Sequence, residues 1–139
     1  MKYIAILILL ICSCSKSITN DDLSHNLLKW SSQKVVNYEF TLRINCFCPE
    51  ERVGPHLIKV AYGKIISVNN LPYDITKTGQ LMTIDELFAY IKTSLDRKPY
   101  TKSIEYNSAF GYPQHIYFDF IKEMADEEIG YEITQFKAS

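Results

Sequence analysis

Cys46 and Cys48 are the residues whose type and spacing come closest to chemistry. A thiol pair two residues apart can close a disulfide, fill a core as two small hydrophobes, ligate a metal, or cycle as a redox centre. On an extended strand the two alpha carbons lie about 7 Å apart, at or past the usual limit for a bridge. A disulfide therefore requires a bend or bulge, which Pro49 can supply by ending the strand. As unpaired thiols the two would pack like small apolar side chains. A metal would need two further ligands, for which His56 and His115 are the candidates. Redox cycling lacks its usual support, because no Cys-x-x-Cys opens a helix to lower a thiol pKa.

Other chemistry-bearing groups are sparse. The carboxylates Asp119, Glu123, Asp126, Glu127 and Glu128 are dense enough to attract calcium, but their spacing is not that of an EF-hand loop, and a solvated turn accounts for them. His25 falls on the polar side of a helix. No histidine stands in an identifiable nucleophile–base spacing, and there is no Gly-x-Ser-x-Gly, phosphate loop or dinucleotide fingerprint. No catalytic set and no cofactor is expected. The formal net charge of -1, from 15 basic and 16 acidic residues, gives no electrostatic ground for nucleic-acid binding.

The elements that position these groups follow from periodicity. Residues 38–48 alternate, with Tyr38, Phe40, Leu42, Ile44, Cys46 and Cys48 on one face, which predicts a half-buried central strand. Before it, Leu23, Leu27 and Trp30 recur at helical spacing. Asn20 stands as N-cap and Asp21 and Asp22 in the first turn, so a helix is expected over 20–33. Strands are expected at 56–62 and 64–69, joined by a tight turn at Gly63-Lys64, with Ile58, Val60 and Tyr62 on one face and Ile66 and Val68 on another. A loop over 69–82 is long enough to suggest a lid or partner contact. Thr83-Ile84-Asp85-Glu86 is a capping box that opens a helix over 84–96. Strands are then expected at 100–106, 114–120 and 130–136. In the middle one, Ile116, Phe118 and Phe120 face inward, while His115, Tyr117 and Asp119 form a polar outer surface.

The order is α-β-β-β-α-β-β-β. Short connections imply an α+β domain: an antiparallel sheet of about six strands with two helices packed on one face. A hydrophobic fraction of 47% suits a globular domain, and 139 residues suit a single one. Ten tyrosines fit half-buried sheet positions.

The start of the chain is different in kind. Lys2 precedes an uncharged apolar run over 4–11, then Cys12-Ser13-Cys14. This is the layout of a bacterial secretory signal, and the run is shorter than the roughly 20 residues needed to span a membrane. Ile11-Cys12-Ser13-Cys14 resembles a lipobox. That resemblance implies a signal peptide over 1–13, lipidation (palmitate-type acyl chains) at Cys14, a tether over 14–19 and one domain over 20–139. The expected location is the bacterial cell envelope, anchored by lipid to a membrane and facing the periplasm or cell surface, where disulfides persist.

Trp30, Tyr38-x-Phe40, Cys46-Phe47-Cys48-Pro49, the run from Lys59 to Val68, Thr83 to Phe88, Tyr106-Asn107, Gly111-Tyr112-Pro113, Phe118-Asp119, Asp126-Glu127-Glu128 and Tyr131-Glu132-Ile133 occur in this order. Together they resemble domain of unknown function 6174, found in exported bacterial proteins and lipoproteins. The resemblance covers about 30–136. The family usually has aspartate where Asn107 stands. No activity is established for it, so no catalytic residue carries over. The expectation is a non-catalytic binding module that contacts an envelope protein or a small molecule through His115, Tyr117, Asp119 and the 69–82 loop. The competing expectation is a thiol-based redox or metal-binding protein using Cys46 and Cys48.

Overall fold

The computed structural model describes residues 20–139. The expected signal peptide, Cys12, Cys14 and the tether lie outside them. Within the described residues no helix is long and apolar enough to cross a membrane.

The chain forms α1 (Asn20–Ser32), β1 (Asn37–Asn45), α2 (Glu50–Val53), β2 (His56–Ala61), β3 (Lys64–Val68), β4 (Leu71–Pro72), α3 (Ile75–Thr78), α4 (Ile84–Asp96), β5 (Thr101–Tyr106), β6 (Pro113–Asp119) and β7 (Ile129–Ala138). The strands make one antiparallel sheet in the order β4-β3-β2-β1-β7-β6-β5. The α+β architecture matches the expectation, with a seventh, two-residue strand at one edge. After β4 the chain crosses the covered face as α4 and descends from the opposite edge, so β7 closes against β1 at the centre.

The even residues of β1 explain the core. Phe40 and Leu42 are fully buried, and Tyr38 and Ile44 nearly so. Ile58 and Val60 of β2, Ile116 and Phe118 of β6, and Ile133 of β7 meet them. Trp30 of α1 packs edge-on to Tyr38, Tyr112 and Phe136 and donates from Nε1 to Asp85 of α4. The α4 N-terminus is held twice. Its capping box is complete, with Thr83 Oγ1 accepting from Glu86 N and Glu86 accepting from Thr83 N. The buried Tyr38 hydroxyl accepts from Ile84 N at 3.1 Å, and burial holds that phenol well above its ordinary pKa.

Several local expectations are corrected. The central strand ends at Asn45, not at Cys48, so the two cysteines are not strand residues. Residues 50–53 form the single turn α2. The β2–β3 hairpin turns through Tyr62-Gly63, both at positive φ, which is the two-residue geometry that matches strand twist. Tyr62 is consequently 80% exposed and leaves the face of Ile58 and Val60. A register shift pairs Val60 with Ile65 and Lys59 with Ser67. Ile66 is the extra residue of that bulge and is turned outward, while Ile65 takes its place against the core. In α1, Leu27 is 40% exposed and Leu28 70%, so Leu23 and Trp30 carry the buried face.

The 69–82 loop is pinned rather than open. It contains β4 and α3, the latter capped by Asp74, whose Oδ1 accepts from Thr76 N. Tyr73 ties it together by donating to Gly79 O and accepting from Leu81 N, and Leu81 is buried in the core. A lid needs a weakly held segment, which this one is not.

Candidate functional site

Just beyond Asn45 the chain bends, and Cys48 N donates to Cys46 O at 2.9 Å in a three-residue turn. The turn brings the alpha carbons to 5.3 Å, inside the bridging range, and Cys46 and Cys48 are disulfide-bonded. Cys46 rests against the core, whereas Phe47 at the tip is 84% exposed.

The two candidate metal-ligating histidines do not converge. His56 pairs with Leu42 on the covered face and is 3% exposed. His115 pairs with Glu132 on the open face. Among the described residues, no group of three or more histidine, cysteine or acidic side chains is arranged to hold a metal ion. Nε2 of His56 lies 3.0 Å from Arg52 O. A carbonyl can only accept, so Nε2 carries a proton and donates it, while the buried Nδ1 has no partner among the described residues.

On the open face, β6 brings His115, Tyr117 and Asp119 together as expected. The register also adds residues that periodicity did not single out. Glu105, His115, Glu132 and Arg43 stand in one row across β5, β6, β7 and β1. In the next row Tyr117 is opposite Gly130, whose far neighbour is Asn45. The acidic turn folds back on this surface, with Glu127 accepting from Phe120 N and Ile121 N. Partial desolvation, followed by the hydrogen bond that protonated Asp119 donates to Glu127 and by the charges of Glu127 and Glu128, raises Asp119 above the ordinary carboxylate value. Desolvation and the same acids raise Tyr117. The carboxylates of this turn are thus partly spent on the turn itself.

A second group lies under the covered face at the disulfide end of the sheet, and the sequence reading missed most of it. The buried Tyr131 hydroxyl shares hydrogen bonds with Tyr90 and Arg52, and burial raises its pKa well above the ordinary phenol value. Tyr90 in turn engages Ser94, itself 2% exposed. Arg52 sits in the turn α2, where its backbone N donates to Pro49 O and its carbonyl meets His56. Its guanidinium borders a cavity of about 450 Å³ between α2 and α3, lined by Pro49, Glu51, Thr76, Lys77, Thr78 and Gly79. Only a contact map joins these residues, which lie on five elements. A signal was nonetheless present in the short run Pro49-Glu50-Glu51-Arg52, an acidic first turn after proline that reads as a helix start.

The model of a family of unknown function, DUF6174, matches residues 22–138. No curated protein and no solved structure matches.

Proposed function

The chain belongs to the DUF6174 family, and on that premise we propose that it is a lipid-anchored protein of the bacterial cell envelope whose domain binds a partner without catalysing a reaction. The observation that carries the reading is the Cys46–Cys48 bond. Such bonds persist in oxidising compartments, which agrees with the export signal and with a lipidated Cys14. The contact surface is the open sheet face of His115, Tyr117 and Asp119, extended by Glu132 and Arg43.

Replacement Cys14→Ser tests the anchor. Labelling with a radioactive or clickable palmitate should disappear and the protein should leave the membrane fraction; retained label would sink the assignment. Tyr117→Ala tests the face. Cross-linked capture of an envelope partner should weaken, and undiminished capture would move the contact elsewhere.

A second reading, a thiol-based redox protein, is favoured by the same bond, because its loop projects into solvent at Phe47. Mass measurement with and without mild reductant, together with elemental analysis, separates the two. Ready reduction or stoichiometric metal supports the thiol reading, and an inert bond without metal supports the binding module.

A further inference from the structure

From the cavity between α2 and α3 we infer a binding site for an oxyanion, carboxylate or phosphate, with Arg52 as its anchor. This deepens the binding-module reading by giving it a ligand class at a place separate from the open face.

The argument starts from charge. Arg52 is only partly exposed, yet no carboxylate pairs with it among the described residues: the ion pairs there are Lys77–Asp74 and Lys137–Glu39. A guanidinium drawn out of water needs hydrogen-bonding partners and is best met by an opposite charge. Among the described residues its side chain meets one neutral acceptor, the Tyr131 hydroxyl, and its buried Nε meets none. Glu51 lines the same cavity without pairing with it.

The arrangement is also preorganised. His56 holds the Arg52 carbonyl from one side at 3.0 Å, and Tyr131 holds the side chain from the other. The anchor is therefore fixed before any ligand arrives, which lowers the entropic cost of binding. Gly79 ends α3 at a φ of 70°, and a Cβ built there would stand in ordinary contact, 3.5 Å, from Nη1 of Arg52, so the guanidinium lies against the end of α3. Lys77 lies exposed on the same wall but is ion-paired with Asp74 at 3.9 Å, so Arg52 carries the charge of the site. The volume, about 450 Å³, lies within the range of small-molecule sites. The planar fork of arginine matches the oxygens of carboxylates and phosphates alike, so one chemistry covers both sources.

The test is a titration of the full-length protein, ¹⁵N-labelled and in detergent, with inorganic phosphate in one arm and acetate in the other, at constant ionic strength. Amide and side-chain resonances are followed by NMR. Saturable shifts centred on Arg52, Thr78 and Gly79 are expected, with affinity falling at least about tenfold in Arg52→Gln, as befits loss of a charge-assisted hydrogen bond. Tighter binding of phosphate assigns a phosphate-bearing ligand, and tighter binding of acetate a carboxylate. Absence of saturation in both arms overturns the site. So does equal affinity in Arg52→Gln, or shifts centred on the His115 face. Should Arg52→Gln not fold, the position of the wild-type shifts and the response of Lys77→Gln decide, the latter expected to weaken binding by a smaller factor. Failure here leaves the Tyr117→Ala capture experiment untouched, so the two readings fall separately.

Discussion

The two ends of β1 are closed by opposite means. Where the strand begins, Trp30, Tyr38, Tyr112, Phe110 and Phe136 form a continuous aromatic cluster, with ring centroids 4.6 Å apart for Tyr112 and Phe136 and 5.5 Å for Trp30 and Tyr38. Two polar groups there are matched, the indole N–H by Asp85 and the Tyr38 hydroxyl by Ile84 N, while the buried Asn37 Oδ1 at the head of the strand has no partner among the described residues. Where the strand ends, Cys46, Arg52, His56, Tyr90 and Tyr131 mix sulfur, charge and hydroxyl, and two buried atoms, Arg52 Nε and His56 Nδ1, lack partners among the described residues. Apolar burial is nondirectional and stabilises in proportion to area. Buried polar groups stabilise only when fully satisfied. The aromatic end therefore anchors the fold through apolar contact, and the far end gathers polar and charged groups beside the cavity between α2 and α3.

Substitutions at the two ends should separate these roles. Trp30→Ala is expected to have the largest effect, about 3–5 kcal/mol of stability, read as a lower denaturation midpoint, with little change in oxyanion affinity. A loss below about 1 kcal/mol would show that the aromatic end is not the anchor. Tyr131→Phe removes one hydroxyl at the other end. It should cost about 1 kcal/mol and weaken oxyanion binding, because Arg52 loses its brace; unchanged affinity with the expected stability loss would make Tyr131 purely structural.

The smallest effect should lie at Asp119, on the open face and therefore at neither closure. Its folded pKa is raised, so the native state holds its proton more tightly than the unfolded chain does. The contribution to stability is then full below the unfolded value near 3.8 and declines as pH rises through the folded value. Asp119→Asn should flatten that decline in a series of melts from acid towards neutral pH, and an unchanged slope would remove Asp119 as its source.

Local signals translated well into structure. The capping box at Thr83 placed α4 at Ile84–Asp96, because its hydrogen bonds close within four residues. The alternation of β1 identified Phe40, Leu42 and Ile44 as core. The misreadings occur where a tertiary or backbone event overrides periodicity. A bulge turned Ile66 outward, a two-residue turn placed Tyr62 in solvent, and a disulfide-closed bend took Cys46 and Cys48 out of the strand. A period of two cannot register an inserted residue. His115, Tyr117 and Asp119 were legible as a group because they share one strand. Arg52, Tyr90 and Tyr131 were not, since the contacts that unite them cross from α2 to α4 to β7.

The pairing of β7 with β1 bears on how the sheet is assembled. It sets Asn45 opposite Gly130 and Tyr38 opposite Ala138, so the central seam is also the one with the longest intervening chain. Closing so long a loop costs entropy before any contact repays it. Residues from β1 through β6 can be present and still lack the strand that joins the two halves. Until β7 docks, both flanks of the seam offer unpaired backbone edges, the very feature that invites strand exchange between molecules. The segment that completes the core thus also governs when the chain ceases to be prone to association.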